Sequence, residues 1–233
     1  FKSFAENIVL RFKLANKSLV VDIGSNDGIL LMPFINLGMN GLGIEPAINI
    51  ARRANAQGVT TIPKFFNESV AKLILKRYGS AKIVTAANVF AHVDDLDSLI
   101  KAVKILLDDD GVFVIEAPYI ADLVTKNTFD LIYHEHLSHL GLRPMQVLFE
   151  RLEMTIFDVE HNYSHGGSLR VFVKKAATHH KVKPAVARWL ANEHKLRLNT
   201  LFPYRQLAKR VADNKKSLNK LLKRLKLSGK TIV

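Results

Sequence analysis

Residues 17–30 read KSLVVDIGSNDGIL, and the fold turns on how this stretch divides. Leu19 to Ile23 are mostly β-branched and apolar, the composition of a buried strand. Gly24, Asn26 and Gly28 then break the run into a turn, from which a helix is expected to start. A strand, a glycine turn and a helix in that order leave backbone N–H groups facing a ligand at the carboxyl edge of a sheet. The glycines stand at 24 and 28, so the G-x-G-x-x-G dinucleotide pattern fails.

Working outward, strands are expected in MNGLGIEP (39–46), TTIPKFF (60–66), AKIVTAANVF (81–90) and GVFVIEAPY (111–119). Between them INIARRANAQ (48–57), SVAKLILKRYG (69–79) and DDLDSLIKAVKILLDDDG (94–111) read as helices. The last places Asp94, Asp95 and Asp97 at its positive end and Gly111 at its exit. Strands alternating with helices predict an α/β fold with a parallel, doubly wound sheet. RPMQVLFERL (143–152) is then helical, and MTIFDVEHN (154–162) and SLRVFVKK (168–175), linked by YSHGG, predict a terminal antiparallel hairpin. From Lys183 the chain reads as helix, with Leu218, Leu221, Leu222 and Leu225 on one buried stripe and Gly229 as C-cap. KTIV (230–233) is expected to open a strand. The domain division expected is 1–175 for the sheet and 183–233 for a helical linker leading into a further, C-terminal domain.

With 233 residues, 48% of them hydrophobic, the chain can bury a full core. Its longest apolar stretches, such as ILLMPF, are interrupted by Pro33, Asn36 and Gly38 well short of the roughly 20 residues of a membrane span. FKSFAENIVLRF (1–12) has amphipathic helix spacing and no signal-peptide pattern; without an initiator Met it reads as an excised segment. The absence of Cys excludes disulfides and thiolate metal sites and fits a reducing, cytoplasmic setting. The net charge of +13 is uneven. Residues 174–233 hold 17 of the 34 basic residues against Glu193 and Asp213, a net +15, which leaves −2 for residues 1–173. Such a segment suits nucleic acid, a phosphate-bearing substrate, an acidic neighbouring domain, or simply helix faces of solvated lysines.

Within DIGSNDG, the spacing acid-x-Gly-x-x-x-Gly, carried by Asp22, Gly24 and Gly28 with Asn26 between the glycines, resembles the first motif of class I S-adenosylmethionine methyltransferases. Glu45 ends the second strand, where a carboxylate accepts hydrogen bonds from ribose hydroxyls; it is also placed to cap the helix that Pro46 and Ala47 begin. Phe65, Phe66 and Asn67 follow the third strand, where similar enzymes meet adenine, although paired aromatics are as often core. Asn88, ending the fourth strand, is the stronger polar candidate.

Three further segments, NVFAHV (88–93), FDLIYHEHLSHL (129–140) and HGGSLRVFV (165–173), resemble in content and order the sugar C-methyltransferases of deoxysugar biosynthesis. That resemblance implies S-adenosylmethionine as cofactor and methylation of a carbon next to the ketone of a nucleotide-linked hexose. It also implies an N-terminal zinc module with clustered cysteines and a C-terminal Rossmann-like domain, of which this chain carries the middle part and the lead into the last. In the family the residues matching His92, Tyr133, Glu135 and His136 line the active site, with the histidine at 136 as base. His165, Gly166, Gly167 and Arg170 are the second hallmark, the glycines allowing a tight turn and His165 and Arg170 meeting hydroxyls or phosphate. Arg170, on an alternating strand, equally suits solvent.

A zinc-protease reading of YHEHLSH fails because His-Glu-x-x-His needs a histidine where Ser138 stands. A His136/His139 pair lacks an evident third ligand, so no metal is expected. An RNA methyltransferase would need stacking aromatics on the basic segment, which offers mainly Trp189, Phe202 and Tyr204. A third class is a non-catalytic methyltransferase-like module. Neither a membrane nor a nucleic acid is the expected partner.

Overall fold

The computed structural model describes residues 1–178 and 181–232. Its centre is β1 (Leu19–Ile23), every residue of which is buried. In chain order come α1 (Lys2–Arg11), β1, α2 (Leu31–Asn36), β2 (Asn40–Ile44), α3 (Ile48–Ala56), β3 (Thr61–Ile62), α4 (Glu68–Tyr78) and β4 (Ala81–Ala87). They are followed by α5 (Leu96–Leu106), β5 (Leu107–Pro118), α6 (Ile120–Lys126), α7 (Leu142–Arg151), β6 (Met154–Asn162), β7 (Ser168–Lys175), α8 (Pro184–Lys195) and α9 (Phe202–Leu227). The strands form one sheet in the order β3-β2-β1-β4-β5-β7-β6. The first five are parallel, and β7 inserts antiparallel between β5 and β6. The expected fold class therefore holds.

Alternation along β1 explains the three layers. Leu19, Val21 and Ile23 join one core with α4, α5 and α7, while Val20 joins another with Ala5, Ile8 and Phe34 of α1 and α2. Helix starts follow local chemistry. Asn67 accepts the Val70 N–H at 3.0 Å and Asp95 accepts the Ser98 N–H at 2.9 Å, each satisfying one donor that a helix leaves unpaired.

Three expectations need correction. The helix read through Asp108–Asp110 ends at Leu106, and Leu107 already pairs with Ala81 of β4, so Gly111 lies inside β5 and not at a helix exit. The three aspartates are drawn into the strand by partners across the sheet: Ser80 donates to Asp108 at 2.6 Å and Lys82 pairs with Asp108 and Asp110. In α9 the leucine stripe is not buried, since Leu218 and Leu221 are 51% and 41% exposed. Among the described residues, the start of this helix finds apolar partners, Tyr204, Leu207 and Val211 packing with Leu123 and Val124 of α6. Residues 230–232 form no strand, and Val233 lies outside the described residues. Gly229, with φ +74°, does follow α9 as the expected C-cap. No described helix is long and apolar enough to cross a membrane.

Candidate active site

The turn after β1 is held by its neighbour strand: Gly24 and Ser25 donate N–H bonds of 2.8 and 3.1 Å to the Ile44 carbonyl at the end of β2. Gly24 has φ +69°, and a Cβ there would overlap Val89, so both conformation and contact require glycine. Glu45 serves the backbone at the start of the next helix and that of the glycine turn. Its Oε2 accepts the Asn26 N–H at 3.1 Å and its Oε1 the Ala47 N–H at 2.9 Å. A carboxylate has roughly four acceptor sites, so capacity remains for ligand hydroxyls.

Glu45, Phe65, Phe66, Asn88, His92 and Glu135 line a cleft of about 1100 Å³. A second cavity of about 600 Å³ adjoins it, sharing Gly24 and Asn88 and adding Asp22, Asn26, Glu116 and Arg170. Asn88 is pinned in a left-handed conformation, φ +56°, with its N–H on the Glu116 carbonyl at 2.8 Å, and its side-chain Oδ1 is buried without a partner among the described residues. A buried acceptor without a donor at the junction of two cavities marks a place for a ligand. Burial pushes the Asp22 carboxyl up from 3.8 to about 7; the 2.6 Å hydrogen bond from Thr85 opposes this and the charge of Glu45 adds to it.

Three of the four residues expected to line the active site converge. The loop carrying Tyr133 to Ser138 is fastened to the turn Phe90–His92, because Leu137 and Ser138 donate to the Ala91 carbonyl at 2.9 and 3.3 Å. That brings the His92 and His136 rings to 4.8 Å. His136 Nδ1 lies 2.7 Å from the Leu131 carbonyl, which can only accept, so Nδ1 carries the proton and Nε2 the lone pair. Tyr133 Oη is 3.2 Å from that Nε2. Glu135 lines the cleft instead, with His134 Nε2 3.9 Å away. His139 approaches His136 at 5.9 Å between ring centres, and burial, followed by the His136 charge, lowers its pKa.

The HGG turn is placed differently from the acid–base group. Gly166 and Gly167 pack on α6 and the chain that follows it: a Cβ at Gly167 would overlap the Asp122 carboxylate, and one at Gly166 would stand 2.8 Å from Thr128. The side chain of His165 lies outside the described residues. Arg170 faces the smaller cavity, bonded to Glu116 at 2.8 Å and 3.6 Å from Glu160. Sequence reasoning passed over Glu116 and Thr85, although an acid interrupting the apolar run VFVIEAP was a signal. It also passed over Glu193, a buried carboxylate on α8 that accepts the Leu142 and Arg143 N–H groups and so caps α7 from 50 residues away.

The methyltransferase-domain family matches residues 2–158. The chain belongs to that family. A C-methyltransferase C-terminal domain family matches residues 163–233 and therefore begins within the sheet, just before β7. Among curated relatives, C-methyltransferase NovU of Streptomyces niveus is 38% identical over 224 residues, covering 96% of this chain and 53% of the relative. Ubiquinone biosynthesis O-methyltransferase of Acinetobacter baylyi is 31% identical over 142 residues, covering 53% of this chain and 58% of the relative. The chain thus spans about half the length of the curated relatives it matches. Among solved structures, an S-adenosylmethionine-dependent methyltransferase from Clostridium acetobutylicum superposes with TM-score 0.59 at 13% identity, covering 76% of this chain and 91% of that one. Magnesium protoporphyrin IX methyltransferase from Synechocystis with bound SAH gives 0.58 at 15% identity, covering 75% and 83%. At such identities the likeness concerns the fold, which is the methyltransferase sheet described above.

Proposed function

We propose that this chain is the catalytic part of an S-adenosylmethionine-dependent C-methyltransferase that methylates the carbon next to a ketone in a nucleotide-linked deoxysugar. The observation that carries the reading is the Tyr133–His136–His92 cluster, whose His92 lines the same cleft as Glu45. Glu45 would hold the ribose, the turn 24–28 and the unpartnered Asn88 Oδ1 the remainder of the cofactor, which supplies an electrophilic methyl group when bound. A carbon acquires nucleophilic character when its proton is removed beside a ketone, the charge then spreading to the ketone oxygen. His136 Nε2, which carries the lone pair, is the acceptor for that proton. Tyr133 or His92 donates to the enolate oxygen, and Glu135 takes a sugar hydroxyl.

The identity to C-methyltransferase NovU supports carbon as the methyl acceptor. The division into a methyltransferase domain, 1–175, and a helical lead, 183–233, is part of the same proposal, as are a zinc module and a C-terminal domain elsewhere in the parent protein. Two of the three aromatics on the basic segment are engaged internally, which weighs against an RNA substrate: Trp189 stacks on His161 at 5.4 Å, and Tyr204 donates to the Leu198 carbonyl at 2.8 Å. The test is incubation of the parent protein with labelled S-adenosylmethionine and a panel of keto-sugar nucleotides and RNAs. Label on a keto-sugar carbon is expected; label on RNA, or on nothing, overturns the reading.

A further inference from the structure

A ladder of charges beneath α1 has no part in the chemistry of Tyr133 and His136. Glu116, Arg170 and Glu160 are cross-strand neighbours on β5, β7 and β6. Arg170 donates from Nε and Nη2, at 3.2 and 2.8 Å, to one oxygen of Glu116, Oε2. Among the described residues, Oε1 of Glu116 accepts no hydrogen bond, and Nη1 of Arg170 donates none although it stands 3.6 Å from Glu160 as an ion pair. Both side chains are largely buried, 16% and 22% exposed, and both residues line the smaller cavity.

The cavity has a roof. Phe1 and Phe4 line it, and Phe4 lies 4.4 Å from the Arg170 guanidinium. Its helix, α1, is fastened at the other end by Arg11, which pairs with Asp158 and with Glu160. A carboxylate with one free oxygen, beside a guanidinium with hydrogen-bonding capacity left on its Nη groups, complements a ligand carrying an ammonium and a carboxylate on one carbon. The cavity meets the larger cleft at Gly24 and Asn88, so an amino acid joined to an adenosine would span the two.

Resting on the cofactor reading above, we propose that Glu116 and Arg170 recognise the amino-acid end of S-adenosylmethionine, Glu116 accepting from its ammonium and Arg170 donating to its carboxylate. Glu160 belongs to the same ladder but not to the cavity lining, which provides a control for a purely structural role.

Calorimetric titration of this chain with S-adenosylhomocysteine, its decarboxylated analogue and methylthioadenosine tests the assignment. Glu116→Gln is expected to weaken the first two by about 10- to 100-fold, the range for a lost bond to a charged group, and to leave methylthioadenosine unchanged. Arg170→Gln should weaken S-adenosylhomocysteine alone, and Glu160→Gln none of the three. Equal weakening of methylthioadenosine by Glu116→Gln, or no weakening of any ligand, overturns the assignment while leaving the cofactor reading intact. Wild-type chain that binds none of the three overturns both.

Discussion

Tyr133 Oη and His136 Nε2 lie 3.2 Å apart, with the two rings 4.3 Å between centres. Because His136 Nδ1–H donates to the Leu131 carbonyl, the hydroxyl of Tyr133 donates to the lone pair on Nε2. The proton acceptor of the proposed reaction and one of its two candidate oxyanion donors are thus adjacent before substrate arrives. In the parent protein, His136→Ala is expected to lower turnover by roughly 10²–10⁴ while leaving cofactor affinity unchanged. Exchange of the substrate's α-proton with deuterated water should slow as well. Wild-type turnover in the variant would remove His136 from the mechanism.

Glu45→Ala should weaken S-adenosylhomocysteine by about one to two decades, since hydrogen bonds to charged groups contribute roughly 1.5–3 kcal/mol. The same change strips the acceptor from the Asn26 and Ala47 N–H groups, so the turn should also exchange its amides faster. Titration calorimetry and amide exchange read the two effects separately. Undiminished affinity would exclude the ribose contact.

Asp22 makes stability depend on pH in an unusual direction. Its folded pKa, about 7, stands above the ordinary 3.8, so between those values the folded state keeps a proton that the unfolded state has released. Stability therefore falls as pH rises from about 4 to 7, and the penalty of a buried charge persists above 7. Asp22→Asn, which still accepts from Thr85, should match wild type near pH 4 and exceed it above pH 7 by up to about 4 kcal/mol. Urea denaturation at both pH values tests this; a difference that does not vary with pH would count against a raised Asp22.

Gly167→Ala is expected to destabilise the chain by about 2–4 kcal/mol, combining a strained φ of +141° with overlap on Asp122. Asp122 would be displaced from His161, which it holds at 2.6 Å. Thermal melting should show the loss, and a melt identical to wild type would mean the turn relaxes freely.

The alternation of strands and helices, the hairpin that closes the sheet and the glycine turn at its carboxyl edge were all legible in the residue pattern. These follow from short-range periodicity and from backbone conformations that few residues adopt. The pattern also isolated Glu45, Asn88 and the YHEH loop, because polar groups at strand ends and within apolar runs stand out. Only the tertiary structure decided that α5 stops at Leu106, since Ser80 and Lys82 reach Asp108 from another strand. It alone joined His92 to His136, through two N–H bonds to Ala91 that link loops more than 40 residues apart. The charge ladder from Glu116 to Arg11 was likewise invisible, because strand register sets which charges face each other across a sheet. The leucines of α9 give the limit of pattern reading. Periodicity defines an apolar face, but burying it requires a partner surface, and in this structure the described residues place none against Leu218 or Leu221.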